Sequence, residues 1–170
     1  MTDLSNKYTS FSGRNPFASQ AKMLLHFDKL HQYLDEGDTD CPVFKAVTYA
    51  GQGEPTFYPH FEEAVIAAKD AGLQLGMMTN GVFKHKYCKL IGESFEWIRI
   101  SLDTLDAEKY HQWKEVDGVK IIKKNVAELV KYGCRVGINC NVGDNITIDH
   151  AKELVDWVNE YDGISYLQFR

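Results

Sequence analysis

Closely spaced cysteines are what this chain most plainly lacks. Its four, Cys41, Cys88, Cys134 and Cys140, form no C-x-x-C pair, which excludes a zinc ribbon or a tight cluster motif built on them. Cys134 and Cys140 fall on one predicted strand, where the strand rise sets them roughly 20 Å apart. All four therefore read as buried thiols, and no metal ligand is assigned. Blocks of positive charge are missing too. The net charge is -5 and the 19 lysines and arginines are scattered, so nucleic acid is not an expected partner. No apolar run approaches the ~18 residues of a membrane span, and residues 1–14 are polar without the apolar core of a leader peptide. These absences predict a soluble cytoplasmic protein with no membrane partner.

What is present suits one globular domain: 170 residues, 44% of them hydrophobic, with no low-complexity tract. β-rich runs at 43–50, 73–79, 97–102, 134–142 and 164–169 alternate with helical patterns at 61–72, 83–92, 107–114 with 119–132, and 148–161. Gly72 and Gly133 follow charged or aromatic last turns, as helix C-termini favour. Ile148, Ala151, Leu154, Val155 and Val158 recur at helical spacing, with Thr147 or Asp149 as the cap. The repeated strand–helix unit predicts an α/β fold with a parallel sheet and right-handed crossovers. An amphipathic helix at 21–33 has no strand ahead of it, so the series reads as missing its first strand. The expected division is an N-terminal linker or arm at 1–19 and a partial barrel at 20–170.

Strand parity separates two faces. Ile98, Ile100 and Leu102 alternate with Arg99, Ser101 and Asp103; Val136, Ile138, Cys140 and Val142 with Gly137, Asn139 and Asn141; Leu167 and Phe169 with Gln168 and Arg170. The apolar sets should pack on helices. The polar sets gather near strand C-termini, where α/β folds bind ligands, whereas a closed barrel fills its interior with branched apolar side chains. The plain alternative is the edge of a flat sheet with one solvated face.

The first of these strands ends in Thr48-Tyr49-Ala50-Gly51-Gln52-Gly53-Glu54-Pro55-Thr56, two glycines and a carboxylate able to accept from an ammonium group. No third glycine opens the helix, so this is not a dinucleotide fingerprint. The next two strands end in Thr79-Asn80-Gly81 and Ser101-Leu102-Asp103, and an Asn-rich run, 139–145, follows. In this order the motifs resemble the radical S-adenosylmethionine (SAM) superfamily, across roughly residues 20–170. The resemblance implies a partial (β/α)6 TIM-like barrel holding SAM across its strand tips. Gly51, Gln52, Gly53 and Glu54 would face the SAM amino group, with Asn80 beside the site. Ser101 and Asp103 would reach the ribose or carboxylate, and Asn139, Asn141, Gln168 and Arg170 would border the adenosyl end.

In that family three closely spaced cysteines hold a [4Fe-4S] cluster whose electron cleaves SAM to methionine and a 5′-deoxyadenosyl radical. No such loop is present. The resemblance thus implies a radical SAM-type domain or fragment that cleaves SAM only if cluster ligands come from upstream or from a partner chain. The alternatives are a cluster-free SAM- or nucleotide-binding relative, an inactive remnant acting as an interaction module through an exposed sheet edge, and a non-radical barrel enzyme. The last would need a phosphate loop and an interior lysine, for which Lys45 is the one candidate within a strand. The substrate, peptide or small molecule, is left open. His26, His31, His60, His85, His111 and His150 show no metal-ligand spacing. Tyr49 and Tyr58 are expected in the core, and Trp97, Trp113 and Trp157 at strand–helix interfaces. His111 and Trp113 are weaker candidates for touching a substrate.

Overall fold

Short β-branched and aliphatic runs form the strands and amphipathic stretches the helices of a computed structural model that describes residues 45–51, 53–143 and 146–170. The expected arm at 1–19, the helix at 21–33, Cys41, the start of the first strand and Gln52 lie outside the described residues. The elements run β1 (Ala46–Tyr49), a 3-10 turn (Pro55–Phe57), α1 (Phe61–Asp70), β2 (Gln74–Thr79), α2 (Tyr87–Ser94) and β3 (Trp97–Ser101). They continue with α3 (Ala107–Lys114), α4 (Val119–Leu129), a second 3-10 turn (Val130–Tyr132), β4 (Arg135–Cys140), α5 (Ile148–Asn159) and β5 (Ile164–Phe169). The five strands form one all-parallel sheet in sequence order, as the repeated strand–helix unit predicts.

The alternating strand pattern resolves into two faces. Leu75, Met77, Ile98, Ile100, Val136 and Ile138 are essentially sealed from solvent. They belong to one core with Val65 and Ala68 of α1, Ile91 of α2, Ile122, Val126 and Leu129 of α4, and Leu154 of α5. Each such side chain contributes on the order of 2 kcal/mol. Gly72 (φ 73°) and Gly133 (φ 77°) are left-handed at the ends of α1 and of the second 3-10 turn, as their positions predict. Thr147 caps α5 by accepting from the His150 amide, and His150 returns the contact through Nδ1.

Four expectations are corrected. The helix expected at 83–92 begins at Tyr87, because the Asn80 side-chain Oδ1 accepts from the Val82 amide and Gly81 is left-handed (φ 77°), so the chain turns before it coils. The buried stripe of α5 is His150, Leu154 and Trp157, while Ile148 and Val155 are exposed. Trp97 does not sit between strand and helix: a methyl group at Gly76 would lie 2.3 Å from its ring, so the indole covers Gly76 on the face away from the helices. Lys45 precedes β1 and is exposed, which removes the lysine that the non-radical barrel reading required.

Candidate functional site at the strand tips

The strand register arranges in rows the sheet face that carries no helix among the described residues, the helix-free face. Gly76 pairs with Trp97, and Met78 with Arg99, which pairs in turn with Gly137 and through it with Tyr166. One step nearer the C-terminal tips, Ser101, Asn139 and Gln168 stand abreast. Beyond them come Asp103, Asn141 and Arg170. The lower rows are closed by aromatics, since the Tyr166 ring covers Gly137 so tightly that an added methyl group would meet it at 2.1 Å. The upper rows are hydroxyl, amide and charge. The site residues chosen by parity on β3 to β5 are thereby brought together.

The β1–β2 side of the rim is organised around Glu54, which is 6% exposed. Its carboxylate accepts from the Thr56 hydroxyl (2.9 Å) and amide (3.3 Å), from the Thr79 hydroxyl (2.8 Å to each oxygen) and from the Asn80 amide (2.8 Å). The Thr79 oxygen in turn accepts from the Gly81 amide at 3.0 Å. A carboxylate offers about four acceptor positions, so neutral donors occupy this one fully. Glu54 thus clamps the loop after β1 to the tip of β2. Beside it, Gly53 has φ 148°, which L side chains rarely adopt, and a methyl group at Gly51 or Gly53 would meet nothing within 4 Å. The backbone there is open to close approach.

The β3–β5 side is built around Asp103. One carboxylate oxygen accepts from the Asn141 amide at 2.8 Å and the other pairs with Lys114 Nζ at 2.8 Å. Thr104, next in the chain, is fully buried and its hydroxyl accepts from the Asp106 amide. Beneath them the Tyr110 phenol is pushed up by burial first and then by the charges of Asp103 and Glu54. Asn139 donates to Asn141 Oδ1 at 3.3 Å, but its own Oδ1 is buried with no hydrogen-bond partner. Oδ1 and Nδ2 are interchangeable by a flip of the amide, yet either way one polar atom of Asn139 stays unsatisfied. That is a costly state for a protein to keep without a ligand.

Sequence reasoning missed Thr79, whose parity points to the helix face, Lys114, which reads as an ordinary helix-end cation, and Asn125. Asn125 is fully buried in α4 and donates to the carbonyls of Gly81 and Phe83 at 3.1 and 3.0 Å, pinning the loop after β2. A polar residue on the apolar stripe Val119–Ile122–Val126–Leu129 was its only available signal. Asn125 also meets His85 Nδ1 (3.1 Å) and Cys88 Sγ (3.5 Å), a trio of the types found in cysteine hydrolases. Burial pushes the Cys88 thiol up to about 11 and the side chain is 1% exposed, so it is no nucleophile.

The three described cysteines do not fit an iron-sulfur cluster. Cys88, Cys134 and Cys140 are buried, and their thiols are pushed up to about 11, 12 and 11, chiefly by burial. Among the described residues no three His, Cys, Asp or Glu side chains gather as a metal site. Two surface concavities, of about 390 Å³ beside Ala107 and His111 and about 170 Å³ at the strand N-termini around Gly76 and Trp97, are lined by none of the strand-tip site residues. Among the described residues no helix is long and apolar enough to cross a membrane.

Comparison with known proteins bears on the fold and the family. The chain is 26% identical over 154 residues to GTP 3',8-cyclase of Helicobacter pylori, covering 86% of this chain and 46% of that protein. It is 30% identical over 115 residues to a probable GTP 3',8-cyclase of Methanococcus maripaludis, covering 66% and 38%. The chain thus spans less than half the length of these curated relatives. Its fold matches SuiB of Streptococcus suis, solved bound to S-adenosylmethionine, with TM-score 0.65, 23% identity and coverage of 84% of this chain and 32% of that one. A domain of pyruvate-formate lyase-activating enzyme from Bacteroides vulgatus matches with TM-score 0.58, 16% identity and coverage of 66% and 71%. The sequence profile of the radical SAM superfamily, whose members use SAM and a [4Fe-4S] cluster, matches residues 23–158. That span runs from before β1 into α5 and so includes Glu54, Asn80, Ser101, Asp103, Asn139 and Asn141, though not β5, and the chain belongs to the radical SAM superfamily.

Proposed function

We propose that this chain forms the SAM-cradling part of a radical SAM-type enzyme and that the cluster ligands lie outside residues 1–170. The observation that carries the reading is the buried, unpartnered carbonyl of Asn139, set between Ser101 and Gln168 at the strand tips. Amide and hydroxyl groups in such a row suit a nucleoside, whose hydroxyls and ring nitrogens both donate and accept. Ser101, Asn139, Asn141, Gln168 and Arg170 would take the adenosyl and ribose side. The SAM amino group would meet the open backbone at Gly51 and Gly53, with Gln52 between them. Glu54 and Asn80, already bonded to each other, hold that backbone in place. Asp103 orients the Asn141 amide and presents Lys114 beside the site.

When bound, the cluster supplies the electron for SAM cleavage; the residues present do not fit it, and their part is to bind and orient SAM. Two measurements test the reading. Anaerobic reconstitution with iron and sulfide should leave the chain without stoichiometric iron-sulfur absorbance, and a full four-iron cluster would overturn the external-ligand element. Calorimetry should detect weak, saturable SAM binding that Asn139→Ala weakens about tenfold, the loss of roughly one hydrogen bond. Equal affinity in the two proteins would remove the Asn139 row from the site.

A further inference from the structure

The helix-free face also carries a cation that nothing in the SAM reading uses. Arg99 stands one row below Ser101, about 7 Å deeper by the strand rise. It is half-buried. Its only polar contact among the described residues runs from Nη2 to the Met78 thioether at 3.0 Å, a weak acceptor for a group with five donors. No acid of the site compensates it: Asp103 is held by Lys114, and Glu54 is occupied by Thr56, Thr79 and Asn80. Its surroundings are apolar and tightly built. Trp97, two residues back on the same strand, covers Gly76, while the Gly137 partner on β4 lies under the Tyr166 ring.

A guanidinium on a partly desolvated aromatic floor, with no carboxylate paired to it among the described residues, costs free energy that folding alone does not recover. In that setting its field is weakly screened, and its planar fork matches a carboxylate or phosphate. We propose that Arg99 is the anion-recognising residue of the substrate pocket, so that the substrate carries an oxyanion, carboxylate or phosphate, directed into the barrel beneath the Ser101–Asn139 row. The inference rests on the proposed function, which makes this face the cofactor and substrate side. It concerns the deeper row rather than the strand tips. A nucleoside triphosphate and an amino-acid-like carboxylate both fall within the class.

The test is an NMR titration of the chain with inorganic pyrophosphate and, separately, with citrate, following the Arg99 Nε–Hε signal, with SAM added in a parallel series. A saturable shift of that signal by either ion is expected, and the ion that acts assigns phosphate or carboxylate. Arg99→Met should weaken the binding at least tenfold and Arg99→Lys less, while the response of Ser101 and Asn139 to SAM is unchanged in both. No Arg99 shift with either ion, or wild-type ion affinity in Arg99→Met, overturns the inference. Should Arg99→Met not fold, the direct Arg99 signal and Arg99→Lys decide. SAM shifts at Ser101 and Asn139 without any ion response would sink this inference alone, whereas absence of the SAM shifts would sink the functional reading beneath it.

Discussion

The two sides of the strand-tip rim solve the same problem in opposite ways. On the β1–β2 side a buried carboxylate is satisfied by its own protein: every acceptor position of Glu54 meets a donor from Thr56, Thr79 or Asn80. On the β3–β5 side a buried and a half-buried polar group are left incomplete among the described residues, Asn139 without a partner for its carbonyl and Arg99 without an acid. A satisfied network fixes geometry, and an unsatisfied one waits for a ligand. The contrast suits the Glu54 side chain to scaffolding, holding the Gly51–Gly53 backbone in place, and the side chains of the second side to recognition, although on sequence alone Glu54 looks the more ligand-like.

Substitution can break this contrast, and the largest effect is expected at Glu54. Glu54→Ala removes the shared acceptor of four donor groups on three residues and should lower the unfolding free energy by about 3 kcal/mol, read by denaturant titration. A loss under about 1 kcal/mol would mean that the clamp is not structural. Next comes the floor. Gly137→Ala drives a methyl group into the Tyr166 ring and should cost about 2 kcal/mol, unless the ring swings clear, in which case stability holds and the deeper row opens to solvent. The smallest effect belongs to the recognition side: Asn139→Ala should change stability by less than about 1 kcal/mol, because it deletes a group already lacking a partner, while weakening SAM binding.

Much of the fold was legible in the sequence because its signals are local and periodic. The apolar parity of Ile98, Ile100 and Leu102 and of Val136, Ile138 and Cys140 fixes which face meets the helices, and Gly72 and Gly133 mark where the helical turns end. The same parity placed Ser101, Asn139 and Gln168 in one row once the strands are parallel and in register. What could not be read depends on contacts distant in sequence. Thr79 serves Glu54 from 25 positions away, against the parity of its own strand. Trp97 covers Gly76 only because β2 and β3 pair in that register. Lys114 becomes a site residue because α3 ends beside Asp103, and Arg99 is left without an acid among the described residues because Lys114 holds Asp103 and the Thr56, Thr79 and Asn80 donors hold Glu54.

The central claim, that the helix-free face at the strand tips is a SAM cradle, is tested most directly by amide NMR of the intact chain titrated with SAM. The predicted result is a saturable set of shifts at Gly51, Gly53, Ser101, Asn139, Asn141 and Gln168, with the helix-face residues Ile98, Ile100 and Ile138 unmoved. Shifts confined to the helices, or none at SAM concentrations that saturate the calorimetric signal, would contradict it.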